Sequence, residues 1–192
     1  TTRMRIDASG KVGIGTSSPA SVLDVSGEAP TLTLRDSRTG GSWTAGTALG
    51  KLDFYTSDAT GIGAHSLASV GVVAGGANTA SPDGELVFAT GGYNAVSQER
   101  LRIDSTGRVG IGTSSPAETL QINHATAPKM RFDRNGAYYW DIGHFGSDFQ
   151  FESQTGGTIL HLNFDGNVGI GTISPSAPLH VYTTGTSNAS AK

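Results

Sequence analysis

The sequence predicts an all-β protein with little or no helix. A stretch of the pattern Val-Gly-Ile-Gly-Thr-x-Ser-Pro occurs three times, beginning at Val12, Val109 and Val168. Around each copy, apolar and polar residues alternate, which is the period of a half-buried strand. Glycine accounts for 28 of the 192 residues, and hydrophobic residues make up only 36%. This composition is typical of a turn-rich β chain with a small core, which would gain from burying surface against other copies of itself.

Composition also argues against several classes of protein. The net charge is only -3 and no run of Lys or Arg occurs, so we expect no nucleic-acid partner. The chain has no cysteine, which excludes a disulfide scaffold and thiolate metal sites. No apolar run approaches the roughly 20 residues that cross a bilayer, so we expect no membrane insertion. Residues 1–7 match residues 98–104, upstream of the second copy, and we therefore expect a fragment of a longer protein.

The alignment of the three copies divides the chain. It predicts repeat units at 1–25, 101–122 and 160–181, a Gly-rich β insert at 26–100, an aromatic-rich β insert at 123–159, and the start of a following segment at 182–192.

Each repeat unit is predicted to begin with a β-hairpin. The segments 4–6, 101–103 and 160–162 alternate in polarity, and a short loop that ends in Gly10, Gly107 or Gly166 follows each of them. Glycine enters the left-handed region that such a loop requires without steric cost.

The return strand of the hairpin contains the signature Val-Gly-Ile-Gly. Val12 and Ile14 are predicted to point to one face, with Gly13 and Gly15 on the other. Glycine weakens a strand, so its repeated use indicates close approach of another backbone, with a bulge or chain bend as the alternative. The structural repeat residues are Val12, Gly13, Ile14, Gly15, Val109, Gly110, Ile111, Gly112, Val168, Gly169, Ile170 and Gly171.

A Ser-Pro sequence follows each signature. Residues 115–118 read as a helix N-cap, a first-turn proline and a capping box, whereas Pro178 in the third copy would stop a helix. We therefore expect about one helical turn, followed by strands at 23–25, 120–122 and 179–181.

The two inserts are predicted to consist of further strands. Alternation predicts strands at 30–34, 51–55, 85–88, 128–132, 138–143 and 148–152, and turns at 82–84 and 133–136. The stretch 61–83 is rich in Gly, Ala and Ser and is predicted to be a strand or loop packed closely against its neighbours.

Catalytic and metal-binding patterns are absent from the sequence. The glycine-rich stretches 13–15 and 61–63 do not continue into a phosphate-binding motif, and the five histidines lack metal-ligand spacing, so we expect no cofactor and no metal. His161 and His180 align with Arg or with Asp and Gln, which indicates a solvated face. The carboxylates considered as a glycosidase pair are Asp53, Asp58, Asp141, Asp148 and Glu152, but scattered acidic residues more often increase solubility, and we expect no enzyme.

Four aromatic residues are candidates for stacking on a sugar ring. They are Trp43, Tyr138, Tyr139 and Trp140. Aromatic residues on strands more often belong to a core, and the core interpretation is favoured for this set.

Residues 99–113 resemble a repeat of bacteriophage tail fibres and tailspikes, and similar stretches occur in some large bacterial surface proteins. Residues 84–90 and 166–172 also look like that family. The resemblance implies an elongated, intertwined homotrimeric β-fibre on the virion that takes part in host attachment. Its partners would be other copies of itself, other virion proteins or a host cell-surface glycan. Such fibres often end in an endosialidase-type intramolecular chaperone domain, but no part of the 192 residues matches it.

Two alternatives to a structural shaft segment remain open. One is a glycan-binding or glycan-cleaving receptor-recognition module, and the other is a spacer of an adhesin on the bacterial cell surface. On the favoured interpretation, the signature is a junction at which three chains meet, and the glycines lie where their backbones crowd.

Overall fold

The computed structural model describes residues 3–38, 43–58, 60–76, 82–136, 138–154 and 157–182. These residues form strands, turns and irregular segments and include no helix, so the predicted all-β class is confirmed. The strands are β1 (Met4–Ile6), β2 (Val12–Ile14), β3 (Leu23–Val25), β4 (Ala48–Thr56), β5 (His65–Ala74), β6 (Gly84–Thr90), β7 (Gln98–Ile103), β8 (Val109–Ile111), β9 (Leu120–Ile122), β10 (Lys129–Arg134), β11 (Tyr138–Phe145), β12 (Asp148–Ser153), β13 (Gly157–Leu162), β14 (Val168–Ile170) and β15 (Leu179–Val181).

The strands form three separate sheets. The chain divides into two compact units, Thr1–Arg38 and Thr39–Lys192. The first unit contains the three-stranded sheet β1-β2-β3. The second contains two six-stranded sheets, β4 to β9 and β10 to β15, and in each the strands follow one another in chain order.

Every sheet ends in the same three strands, and these belong to the repeat unit. An antiparallel hairpin is followed by a third strand that adds in parallel to the signature strand. Val12 pairs with Leu23, and Ile14 pairs with Val25. A parallel connection normally takes a dozen or more residues and a helix, whereas here residues 15–22 suffice. We call this connection, with its equivalents 112–119 and 171–178, the Ser-Pro loop.

The predicted helical turn in the Ser-Pro loop is wrong. Residues 15–22, 112–119 and 171–178 form bends without any helix. The strand predicted at 30–34 is also wrong, because this segment pairs with no neighbour among the described residues and is exposed. Its alternating pattern alone does not make a strand, since a strand needs a partner for its hydrogen bonds.

The other predicted strands are confirmed, and most of those in the inserts have wider bounds than predicted. The stretch 70–73 lies within β5, and Gly71 packs so closely on β4 that a β-carbon on it would lie 2.7 Å from that of Lys51. The loop glycines Gly10, Gly107 and Gly166 have φ angles of 79°, 85° and 85°, as predicted. The turn at 133–136 joins β10 to β11, and the N–H of Gly136 donates to Asp133 Oδ1 at 2.8 Å.

Strand alternation gives each six-stranded sheet one apolar face. In the sheet β4 to β9, residues in register across all six strands form an apolar row. This row consists of Leu52, Val70, Phe88, Leu101, Ile111 and Ile122. The sheet β10 to β15 repeats the arrangement with Met130, Ile142, Phe151, Leu160, Ile170 and Val181. We call the side that carries each row the apolar face.

The opposite side, which we call the polar face, carries charged residues, small residues and the Ser-Pro loop. In the sheet β10 to β15 its row consists of Lys129, Gly143, Gln150, His161, Gly169 and His180. Burial follows the polar face. Among the described residues, the only buried hydrophobic residues are Trp43 and Ala74, whereas six polar or charged residues are buried. The best-buried polar side chains therefore lie on the polar face, and the apolar face is open.

Candidate functional site: the polar face of the repeat unit

The Ser-Pro loop folds back over the first glycine of the signature. A β-carbon on Gly13 would lie 2.6 Å from the carbonyl oxygen of Thr16, and one on Gly110 would lie 2.6 Å from that of Thr113. Gly169 and Thr172 repeat the contact in the third unit. The side-chain position of the glycine is thus occupied by backbone of the same chain, and any larger residue would push the loop off the strand.

The second glycine of the signature ends the strand. Gly15, Gly112 and Gly171 have φ angles of 78°, 73° and 71°, and the strands stop one residue earlier. A β-carbon on Gly112 would overlap the carbonyl oxygen of Asn123, and the other two copies share this crowding. The second glycine was predicted to lie in the strand. This placement is wrong, because the residue lies at the bend that directly follows the strand.

Close approach of another backbone was the predicted reason for the glycines, and it is found at both positions. The backbone that approaches belongs in every case to the same repeat unit or to the residue that directly follows it. The spacing of the glycines is therefore explained within one chain and does not by itself require a junction of three chains.

Side chains at equivalent positions hold the loop in place. The hydroxyl oxygen of Thr113 accepts a hydrogen bond from the N–H of Ser115 at 3.2 Å, and Gln121 Oε1 accepts one from the N–H of Ala117 at 2.8 Å. The other two units make the same two contacts. The acceptor equivalent to Gln121 is Asp24 Oδ2 in the first unit and His180 Nδ1 in the third.

The interchange of Asp24, Gln121 and His180 was interpreted as a mark of a solvated face. All three side chains carry a hydrogen-bond acceptor, and each uses it on the loop. Sequence reasoning missed this role, although the shared acceptor was visible in the alignment.

A carboxylate or amide organises the hairpin turn of each unit. Asp104 Oδ1 accepts from the N–H groups of Thr106 and Arg108, both at 2.9 Å, and its Oδ2 accepts from Arg108 Nε at 2.8 Å. Burial raises the pKa of Asp104, but these hydrogen bonds together lower it by more, so its pKa lies well below the usual range. Asp7 and Asn163 take the same position in the other units.

A buried ion pair lies beneath the loop of the second unit. Arg102 is 8% exposed and binds Glu85 of β6 and Glu99, its Nη2 lying 2.6 Å from Glu99 Oε2. The hydrogen bonds that Arg102 donates to Glu99 are the main cause that raises the pKa of Arg102. In the third unit the equivalent pair is Asp148 of β12 and His161, whose Nε2 lies 3.3 Å from Asp148 Oδ2.

His161 is only 1% exposed, so its assignment to a solvated face is wrong. Neither ring nitrogen makes an aligned hydrogen bond in the described structure, despite the nearby carboxylate. In the first unit the equivalent residue is Arg5, which is exposed. The equivalent residues of the three units therefore differ. Arg102 is ion-paired, His161 is buried without a hydrogen bond, and Arg5 is exposed.

Clefts of similar composition lie between the hairpin turn and the Ser-Pro loop of the second and third units. Their volumes are about 420 and 490 Å³. The first is lined by Gly75, Glu85, Asp104, Arg108, Ser114, Ser115, Pro116 and Ala117. Its charged groups are paired with one another or with Arg102.

A second charged group lies on the polar face of β10 and β11. Asp141 is 1% exposed, its Oδ1 accepts from Arg131 Nε at 2.7 Å, and Lys129 Nζ lies 3.4 Å from its Oδ2. Hydrogen bonding from Arg131 is the main cause that lowers the pKa of Asp141. A general acid needs the opposite shift. Glu152 is the register neighbour of Asp141, but the lowered pKa of Asp141 is that of a carboxylate in a structural ion pair.

The candidate glycan-contacting residues do not share one surface. Trp43 is 7% exposed, and the ring of Tyr139 lies against Arg131, with its centroid 3.7 Å from the guanidinium carbon. Tyr138 and Trp140 alternate with Tyr139 along β11, and Trp140 pairs with Phe132 on the apolar face. The remaining carboxylates proposed for catalysis, Asp53 and Asp58, bind nearby Ser, Thr or Lys side chains.

Among the described residues, no group of three or more His, Asp or Glu side chains is placed to hold a metal ion. The described part of the chain also contains no helix long and apolar enough to cross a membrane. No family model and no curated protein matches the sequence.

Proposed function

We propose that this chain is a structural shaft segment of a homotrimeric bacteriophage tail fibre or spike that takes part in host attachment. The phage assignment and the number of three chains rest on the resemblance of the repeats at 99–113 and 166–172. Association itself has a separate, physical support, which is the open apolar face of the two six-stranded sheets.

The apolar face exposes large side chains. Leu52 and Leu120 are 54% and 56% exposed at the two edges of the sheet β4 to β9, and Phe88 is 38% exposed near its centre. In the other sheet, Phe132 and Leu179 are 55% and 61% exposed. Monomeric soluble proteins rarely leave contiguous apolar surfaces of this kind in water.

The scarcity of buried apolar side chains supports the same proposal. Among the described residues, the only buried hydrophobic residues are Trp43 and Ala74. With so few buried apolar side chains, the hydrophobic stabilisation that a domain needs must come from surfaces outside the single chain. Apolar faces from three copies that meet around one axis would supply it and would leave the polar faces and Ser-Pro loops outward.

The glycan-module alternative gains no support from the aromatic residues, which are divided between different surfaces. The lowered pKa of Asp141 likewise disfavours a role as a glycosidase acid. The adhesin alternative shares the structural role and differs only in the source of the chain, so the genes that neighbour this one would separate the two.

Light scattering coupled to size exclusion tests the association. We expect a mass three times 19.7 kDa at micromolar concentration, and a stable monomer would overturn the proposal. Replacement of both Leu52 and Leu120 by Ser removes apolar surface from the face, and about 1.5–3 kcal/mol per leucine is expected to be lost on association. The matched control replaces Lys51 and Glu118, which are exposed and lie outside that face, by Ser. The control should remain trimeric.

A further inference from the structure

The cleft of the third repeat unit is lined by acidic and aromatic residues but by no Lys or Arg. Its hairpin turn contributes Phe164 and Asp165, which take the places of Ser105 and Thr106 in the second unit. Asp148 of β12 also lines it. The volume of about 490 Å³ lies in the range of sites that bind small ligands or single side chains.

The other two units place a cation of their own at one position beside the hairpin turn. In the second unit this is Arg108, which lines the cleft and whose Nε lies 2.8 Å from Asp104 Oδ2. In the first unit it is Lys11, whose Nζ lies 3.4 Å from two carbonyl oxygens of the Ser-Pro loop. The third unit has the uncharged Asn167 at this position. It therefore lacks the cation that contacts the turn or the loop in the other two.

The carboxylates of the third cleft have no permanent cation as a partner. Among the ion pairs between described residues, none includes Asp165, and the one that includes Asp148 is with His161. In the second unit the equivalent of Asp148 is Glu85, which binds Arg102, a side chain that is always protonated. The charge of Asp165 therefore remains uncompensated, and so does that of Asp148 whenever His161 is neutral.

The ring of His161 gives an independent indication of a ligand. It lines the same cleft and is 1% exposed, and neither of its nitrogens has a hydrogen-bond partner in the described structure. In the neutral ring one nitrogen is an acceptor, and a buried acceptor without a donor costs free energy. Nε2 lies 3.3 Å from Asp148 Oδ2. A group with several N–H donors would therefore serve the imidazole and the carboxylate together.

The same sheet shows which group a carboxylate and an aromatic ring hold together. Arg131 donates to both carboxylate oxygens of Asp141, at 2.7 and 2.8 Å, and its guanidinium carbon lies 3.7 Å from the centroid of the Tyr139 ring. A planar guanidinium fits both partners, because its N–H groups form a fork and its face stacks on a ring. The third cleft offers the carboxylate of Asp148 and the ring of Phe164, which is 84% exposed.

We propose that the cleft between the hairpin turn and the Ser-Pro loop of the third unit binds a guanidinium group, presented by an arginine side chain of a partner protein. The guanidinium donates to Asp148 Oδ2 and to the acceptor nitrogen of His161. The ring of Phe164 packs against its face, and Asp165 adds attraction at the rim. The site goes beyond a shaft role, because it adds a partner on the polar face.

The test titrates end-blocked arginine into the isotope-labelled 192-residue protein and follows the backbone amides by NMR. We expect saturable shifts at Phe164 and Asp165, with a Kd of about 1 mM for so small a probe. End-blocked citrulline has the same shape without the charge and should bind at least about tenfold more weakly. End-blocked lysine should bind about threefold more weakly or less, because it lacks the planar fork. Free arginine that binds tenfold more tightly than the end-blocked form would overturn the choice of a protein side chain.

Variants locate the binding in the cleft. Asp165→Asn and Phe164→Ala should each weaken it about threefold. The matched control Glu118→Gln removes an exposed carboxylate from the Ser-Pro loop of the second unit and should bind like the parent. Asn167→Arg supplies the cation from the chain itself, as Arg108 does in the second unit, and should abolish binding, whereas Asn167→Ala should preserve it.

Three results would overturn the proposal. They are shifts that do not saturate or that lie elsewhere in the chain, equal affinity for citrulline, and unchanged binding by Asn167→Arg. The readouts do not depend on the number of chains in the assembly, so failure here would leave the proposed trimer untouched.

Discussion

The carbonyl oxygen of Thr113 occupies the place that a side chain on Gly110 would need, since a β-carbon there would lie 2.6 Å from it. This contact lets an eight-residue loop, 112–119, return the chain to the same strand in parallel. Larger parallel connections cover a sheet with a helix, whereas the repeat unit covers it with one loop that lies directly on glycine.

The second glycine of the signature should be the least replaceable residue of the loop. Gly112→Ala combines a left-handed φ with overlap on the carbonyl oxygen of Asn123. Gly107→Ala has the same kind of φ, but nothing lies within 4 Å of the added carbon. We expect a loss of about 1–2 kcal/mol for Gly107→Ala and about 3 kcal/mol or more for Gly112→Ala.

The shift of the urea midpoint at constant slope measures both losses. Equal shifts for the two variants would show that conformational strain alone governs these glycines and that the approach of Asn123 has no energetic consequence.

Local pattern was sufficient to predict those parts of the fold that are decided within a few residues. The alternation around Phe88 and Phe151 predicted β6 and β12, and the hairpin glycines predicted the turns. Residues 30–34 alternate equally well but form no strand, because pairing depends on a neighbour that the segment itself does not encode. The parallel pairing of Val109 with Leu120 was beyond prediction for the same reason.

The polar face was harder to predict because its contacts join distant residues. Arg102 and Glu85 are 17 positions apart, and no spacing rule connects them before the strand order is known. The role of Gln121 was hidden by a different cause. Asp, Gln and His differ in charge and size, and only the acceptor that they share explains why they exchange at this position.

Loss of the acceptor at position 121 should loosen the Ser-Pro loop of the second unit. Gln121→Ala leaves the N–H of Ala117 without its partner, and because the donor is exposed, we expect a loss of about 0.5–1.5 kcal/mol. Gln121→Asp copies the first unit and should stay within about 0.5 kcal/mol of the parent. The hydrogen-exchange rate of the Ala117 N–H measures this hydrogen bond directly. An unchanged exchange rate in Gln121→Ala would show that Gln121 does not hold the loop.

Acid should destabilise the protein through the carboxylates of the polar face. The pKa of Asp104 is lowered because hydrogen bonds from Arg108 and Thr106 outweigh the opposing effect of burial, and that of Asp141 is lowered chiefly by Arg131. A carboxyl with a lowered folded pKa stabilises the protein above its unfolded value of about 3.9, and this stabilisation is lost as the pH falls through the folded value.

The melting temperature of the parent should therefore fall as the pH is lowered from about 5 toward 2. Asp104→Asn keeps the acceptor oxygen of the turn but cannot titrate, so its melting temperature should fall less steeply over the same range. Asn163→Asp places a carboxylate in the equivalent turn of the third unit and should steepen the fall. If all three slopes agree, the hydrogen bonds of Asp104 do not favour its ionised form.

An apolar side chain should destabilise the protein at Arg102 of the second unit but have little effect at the equivalent His161 of the third. Arg102→Met leaves the carboxylates of Glu85 and Glu99 without their cation, and Glu85 is only 7% exposed. Removal of one partner from a buried pair is strongly destabilising, and we expect a loss of about 2 kcal/mol or more. His161→Leu removes a ring whose nitrogens make no aligned hydrogen bond, so we expect a change within about 1 kcal/mol.

The double variant Glu85→Leu/Arg102→Met separates the ion pair from simple loss of packing. Replacement of both partners of a buried pair by apolar residues is often neutral, so the double variant should be more stable than Arg102→Met alone. Denaturant unfolding of the parent, of the single variants Glu85→Leu and Arg102→Met, and of the double variant gives the coupling directly. If the double variant is instead the least stable of the set, the arginine stabilises the sheet through its packing, and the carboxylates beneath the loop contribute independently of it.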